Sequence, residues 1–219
     1  NLFNNQTIEK SYREISITAI LNHKSLKNDT ARQIFLNNEI LALLPISNTK
    51  TSIVWTKKKE KYNNNDFYFK KRIKFYTKNF LKKIKFHTKI ESNNLSFLIR
   101  SKYFKERILL LGDALHMVHP LVGQGFNMTL RDLASLEEKL KNKINLGLDI
   151  GSSDILTEFS KEIKPRNFIS SIGIDLIRKS FSIKNNSLKK IRTNVLKILN
   201  KNNFAKKVFF GIADEGIKL

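Results

Sequence analysis

The 219-residue chain has no cysteine, only three prolines and eight glycines, and no hydrophobic stretch near the roughly 18 residues that span a bilayer. Without cysteine there is no disulfide framework, thiolate metal site or cysteine nucleophile, and an intracellular protein is the expectation. The opening NLFNNQTIEK lacks the charged-then-apolar layout of a signal peptide. Arginine is scarce too, 9 residues against 32 lysines, and it is the side chain suited to bidentate phosphate and base contacts. The net charge of +22 therefore does not predict nucleic-acid binding. With 24 asparagines beside the lysines, it reflects composition as much as a binding face, and attraction to a membrane surface stays open.

What is present is material for a core: 41% hydrophobic residues, 16 of them Phe, enough for one large domain or two small ones. The chain opens on Asn and enters strand-like sequence almost at once, so it reads as a piece of a longer protein.

From Tyr12 to Thr56, alternating and β-branched runs separated by turn residues predict an antiparallel meander. Phe67, Ile73, Phe75, Phe80, Leu81 and Ile84 predict one amphipathic helix from Asp66 to about Ile84. After an extended LSFLI, the run RILLL at 107–111 has the compact apolar look of a buried strand ending at Gly112. Phe126, Leu130, Leu133, Leu136, Leu140 and Ile144 predict a helix with one buried face, ending near Asn145 and Gly147. Beyond Asp154 the chain reads as several helices, one starting near Pro165.

Between that strand and helix lies GDALHMVHPLVGQGFN, with three of the eight glycines. A carboxylate at a strand end, made accessible by Gly112, can accept hydrogen bonds from pairs of sugar or polyol hydroxyls, which marks Asp113. Gly123 and Gly125 let the backbone approach a ligand at a helix start, where free N–H groups favour negative charge or acceptor oxygens. Pro120 stiffens the approach and biases His119 toward extended geometry. Asp113, His116 and His119 also form D-x-x-H-x-x-H, a facial metal triad only on a helical face, which Gly112 and Pro120 oppose, so no metal is expected. A dinucleotide fingerprint starting at Gly123 fails because Met128 stands where its third glycine belongs. A plain turn and helix entry is the remaining alternative, but it needs neither the acid nor the paired glycines.

GDALHMVHPLVGQGFNMTLRDLASL resembles the second FAD-binding motif of the class A flavoprotein aromatic hydroxylases. Its HP, GQGFN and RD are most similar to the ubiquinone-biosynthesis hydroxylase branch, as are ARQIFLNNEILALLPISNTKTSIVW and FSKEIKPRNFISSIGIDLIRKSFS. The resemblance implies a mixed α/β chain that is the C-terminal part of an FAD/NAD(P)-binding hydroxylase fold. Residues 1–100 would be part of a substrate-binding domain with an antiparallel sheet, 101–148 a strand-loop-helix FAD segment and 149–219 a C-terminal helical region. The N-terminal dinucleotide-binding βαβ unit would be missing, since no G-x-G-x-x-G follows a first strand.

Carried over residue by residue, Asp113 would bind the ribityl chain of FAD, Gly112 before it would be a further cofactor-binding position, and Pro120, Gly123, Gln124, Gly125, Phe126 and Asn127 would line the isoalloxazine ring. Leu115, Thr129 and Asn167 depart from the family pattern, which has Ala, Gly and an acid there; the first two could crowd the ring or tune its environment, and none removes an expected polar contact to FAD. The implied activity is an FAD-dependent monooxygenase that hydroxylates a polyprenylated phenol in ubiquinone biosynthesis through a flavin C4a-hydroperoxide. O2 and an electron donor such as NAD(P)H are the implied partners, with no side chain here as a catalytic acid or base. The piece alone is expected to be inactive. Cytoplasmic localisation is implied, with contact to the inner membrane and a complex with other ubiquinone-biosynthesis proteins left open. The alternative is a non-catalytic remnant or a membrane-surface or assembly module. Its carrier would be a basic amphipathic helix in which Leu188, Ile191, Val195, Ile198 and Leu199 run beside Lys189, Lys190, Arg192, Lys197 and Lys201.

Overall fold

A computed structural model of the chain describes residues 3, 7–36, 39–61, 66–121, 123–182, 193–194 and 202. The basic stripe proposed for residues 188–201 lies outside the described residues. Two compact units are formed, Ser11–Leu95, and Asn1–Lys10 with Ser96–Leu219. No helix among the described residues is long and apolar enough to cross a membrane.

The first unit is built on strands β1 (Thr7–Asn22), β2 (Arg32–Leu36), β3 (Glu39–Ser47) and β4 (Lys50–Lys58). β2, β3 and β4 form the expected meander, but β1 pairs antiparallel with β4, not with β2. The order β2-β3-β4-β1 is a Greek key. The predicted meander is thus corrected at its first strand: residues 23–31 form a long connection that carries the chain to the far edge. Asn28 ties that connection down, its Nδ2 donating to the carbonyls of Ser47 and Lys50 at 2.8 and 3.1 Å.

Period-two alternation turns Ile15, Ile17, Ala19 and Leu21 to one face of β1. The register sets Ile17 and Leu41 on either side of Trp55, and Ala19 and Leu43 on either side of Ile53. Helix α1 (Asp66–Thr77) covers that face with Phe69 and Ile73. The helix ends at Thr77, short of Ile84, and the predicted Phe67, Phe75 and Phe80 are exposed; the residues that pack are those facing Trp55, whose ring lies 5.3 Å from that of Phe69. The two-residue strand β5 (Lys85–Phe86) pairs with the end of β1.

In the second unit, the end of β6 (Glu91–Arg100) pairs antiparallel with β9 (His116–Met117). Between them, β7 (Phe104–Lys105) and β8 (Ile108–Leu109) form a hairpin. RILLL is therefore no buried strand: only two of its residues pair, and Ile108 is 51% exposed. Its other leucines, Leu109 to Leu111, pack half-buried on a core of Tyr103, Leu115, Phe159 and Ile163.

Helix α2 (Gln124–Asn145) ends on Gly147 at φ +66°, close to the expected stop. Its buried face matches the predicted one only in part: Leu136 packs half-buried on the core and Leu140 is half-buried. Met128 and Asp132 are buried, while Phe126, Leu130, Leu133 and Ile144 are exposed. The third of the predicted C-terminal helices falls almost entirely outside the described residues, and the first two are one, α3 (Ser153–Ser182). Pro165 sits inside it, removing one main-chain donor. The helix runs through because Ile155, Phe159, Ile163, Asn167, Ser171 and Ile174 keep one buried face across the proline, which is itself exposed.

Candidate functional site

The GDALHMVHPLVGQGFN stretch is folded against the start of α2. Leu111 is extended; Gly112 then takes φ +60°, a left-handed conformation that costs an L-residue. The chain closes a tight turn at once, the Leu115 amide donating to the Gly112 carbonyl at 2.9 Å. Asp113, inside that turn, is exposed.

Arg100 pins the turn from the other side, as sequence reading did not foresee. Its Nε donates to the Ala114 carbonyl at 2.7 Å and its main-chain N–H to that of Leu115 at 3.0 Å. Its Nη1 also reaches the Thr7 hydroxyl at 3.0 Å.

Gly123 is the N-cap of α2 at φ +66°, with no side-chain cap among the described residues, an entry whose first-turn N–H groups suit an acceptor. A Cβ on Gly123 would meet no described atom within 4 Å. The space before the helix is open, which fits a cofactor whose acceptor atoms approach the backbone. Pro120, Gln124, Gly125 and Asn127 are half-buried along this entry, and Phe126 is 70% exposed, so its ring belongs to the open side and not to the core.

Two close approaches bring loop and helix together. A Cβ on Gly112 would lie 3.5 Å from Thr129 Cγ2, and one on Gly125 would lie 3.5 Å from Val118 Cγ2. The carboxylate-bearing turn thus lies along the first turns of α2. Thr129, a departure from the family pattern, packs against Gly112 and donates its hydroxyl to the Gly125 carbonyl at 3.2 Å. Leu115, the other departure, is fully buried in the core under the loop and does not crowd the open side.

The two histidines point into the protein. His119 is 1% exposed, and His116, equally buried, has its Nε2 2.9 Å from an Asp132 oxygen. Among the described residues, no group of three or more His, Asp or Glu side chains is placed to hold a metal ion. Asn167, the third departure, donates to both Asp132 oxygens at 3.1 and 3.0 Å. Tyr103 lies beside this cluster, and burial pushes its phenol up to about 12, against the opposing influence of the Asn167 side chain. Sequence reading gave Asp132 no role. The signal was an acid four residues after Met128, on one helical face.

A family model described as squalene epoxidase matches residues 3–211. The chain belongs to the squalene epoxidase family. Among this member's curated relatives is the mitochondrial ubiquinone biosynthesis monooxygenase COQ6 of Xenopus tropicalis, 26% identical over 233 residues, covering 89% of this chain and 50% of that protein. Ubiquinone hydroxylase UbiL of Rhodospirillum rubrum is 28% identical over 175 residues, covering 78% of this chain and 41% of the relative. The chain spans about half the length of the curated relatives it matches.

Among solved structures, p-nitrophenol 4-monooxygenase PnpA from Pseudomonas putida superposes with a TM-score of 0.74 at 12% identity, covering 97% of this chain and 55% of that one. HpxO of Klebsiella pneumoniae, complexed with FAD and uric acid, gives 0.68 at 13% identity over 97% and 55%. At such identities the likeness speaks for the fold. The mixed α/β fold and the resemblance to flavin-dependent hydroxylases with ubiquinone-branch relatives are borne out. The branch rests on the curated relatives, since the family model itself is described by squalene epoxidation.

Proposed function

We propose that the chain supplies the flavin half of an FAD site in a monooxygenase that hydroxylates a polyprenylated phenol in ubiquinone biosynthesis. The observation that carries this reading is the exposed Asp113 turn lying along the uncapped, open start of α2. Asp113 accepts hydrogen bonds from the ribityl hydroxyls, with Gly112 giving its turn the required backbone. Pro120, Gly123, Gln124, Gly125, Phe126 and Asn127 line the isoalloxazine ring, and the N–H groups and positive dipole end of α2 favour negative charge on the ring edge they face. When bound, FAD supplies the reaction of reduced flavin with O2, a chemistry no side chain of this chain provides.

In this reading residues 1–100 contribute to the substrate-binding domain and 101–148 hold the flavin. A reduced nicotinamide supplies electrons, and the ADP end of FAD is held by residues outside this chain. The protein works at the inner-membrane surface, where a lipid-tailed substrate resides, and its positive charge favours an anionic bilayer.

Riboflavin and FAD are expected to bind the 219-residue chain weakly and within about threefold of each other, because the ADP end adds no contact. Fluorescence titration measures this. FAD binding at micromolar affinity or better, far above riboflavin, would contradict the division of the site.

A further inference from the structure

We propose that Asp132 is a positioning residue for the candidate cradle: through His116, its carboxylate fixes the loop bearing Asp113 to the helix whose start bears Gly123 to Asn127. This rests on the flavin reading above. Asp132 lies on α2 five residues beyond Asn127, is 1% exposed, and joins three separate elements. One oxygen faces His116 Nε2 at 2.9 Å, and His116 follows Asp113 by three residues. Both oxygens accept from Asn167 on α3.

With the Asp132 carboxylate as acceptor, His116 donates from Nε2. The other ring nitrogen, Nδ1, is buried without a hydrogen-bond partner among the described residues, so among them Asp132 supplies the ring's hydrogen bond. The backbone of His116 is in turn held by β6 through the Ile99 pairing. Ring and backbone together leave the Asp113 turn little freedom to shift along α2. The separation between a polyol anchor and a ring cradle is what such a site must hold constant.

The two arms of Asp132 can be separated. Asp132→Asn weakens both, because it removes the charge that both donors face and sets an amide nitrogen against a donor on one side. The double variant Asp132→Asn/Asn167→Asp exchanges amide and carboxylate, so α2 and α3 keep a complementary pair while His116 loses its ionised acceptor. In the 219-residue chain, Asp132→Asn is expected to speed hydrogen exchange of the Leu115 amide, which closes the Asp113 turn, by at least about tenfold.

In the double variant thermal stability is expected to recover. Leu115 exchange should stay fast, and the 15N signature of the Nε2–H tautomer at His116 should be lost. If the single variant does not fold, the double variant and His116→Phe, which spares the Asp132–Asn167 pair, carry the test with the same Leu115 readout. Unchanged Leu115 exchange in these variants, or its full restoration by the exchange of amide and carboxylate, would overturn the proposal. Riboflavin affinity is measured alongside: if the unaltered chain fails to bind it, the flavin reading falls, while Leu115 exchange still decides whether Asp132 positions the loop.

Discussion

Gly123→Val is expected to lower riboflavin affinity at least about tenfold while costing the fold only about 1–2 kcal/mol. Both effects follow from the same geometry. Gly123 holds φ +66°, which a β-branched residue resists, and its Cβ would project into the open space ahead of α2. The matched control is Gly147→Val at the other end of the same helix. Gly147 also has φ +66° and open surroundings, so its backbone penalty is comparable. Riboflavin titration should separate the two: lost affinity at 123 and none lost at 147. Equal affinities in both variants would show that the helix start does not receive the ring.

The second large effect lies in the sheet unit and concerns stability. Glu39 is buried, accepts from Trp55 Nε1 at 3.1 Å and from Arg72 Nη2 at 2.9 Å, and stands 4.0 Å from Lys57 Nζ. Arg72 lies over the Trp55 ring with its guanidinium carbon 4.6 Å from the centroid, and its side chain also donates to the Tyr76 hydroxyl. One carboxylate thus balances two cations around the central aromatic of this core. Glu39→Ala leaves them facing each other and is expected to cost about 3–5 kcal/mol. Glu39→Gln keeps an acceptor for the indole and should cost less. Urea denaturation of the two variants gives the ranking, and equal midpoints for Glu39→Ala and the unaltered protein would remove the buried carboxylate from the stability of this unit.

The strands around this core were legible because their β-branched and aromatic residues alternate, and pattern reading needs only neighbours along the chain. Their order was not. β1 reaches β4 across the intervening strands, and nothing local in residues 23–31 distinguishes a crossing connection from a turn. Hydrophobic periodicity read α2 only in part: Leu136 packs on the core, but Phe126, Leu130 and Leu133 share the apolar side without being buried, whereas Met128 and Asp132 are buried. Pro165 led the reading to break a helix that its buried face carries through.

The site divides in the same way. The Asp113 turn and the glycines before α2 were visible in the sequence because special backbone demands special residues at fixed offsets. Asp132, His116 and Asn167 come together over separations of 16 and 35 residues, and no spacing rule connects them. Arg100, holding the Ala114 carbonyl, was hidden for the same reason.

The central claim is that the 112–127 segment receives the flavin ring and ribityl chain. Amide chemical-shift mapping of the 15N-labelled chain with millimolar riboflavin tests it most directly, since weak binding suffices. Shifts concentrated at Gly112, Asp113 and Gly123 to Asn127, with the β3 and β4 amides unmoved, are the expected result. Saturable shifts confined to other residues, or none at any concentration, would contradict it.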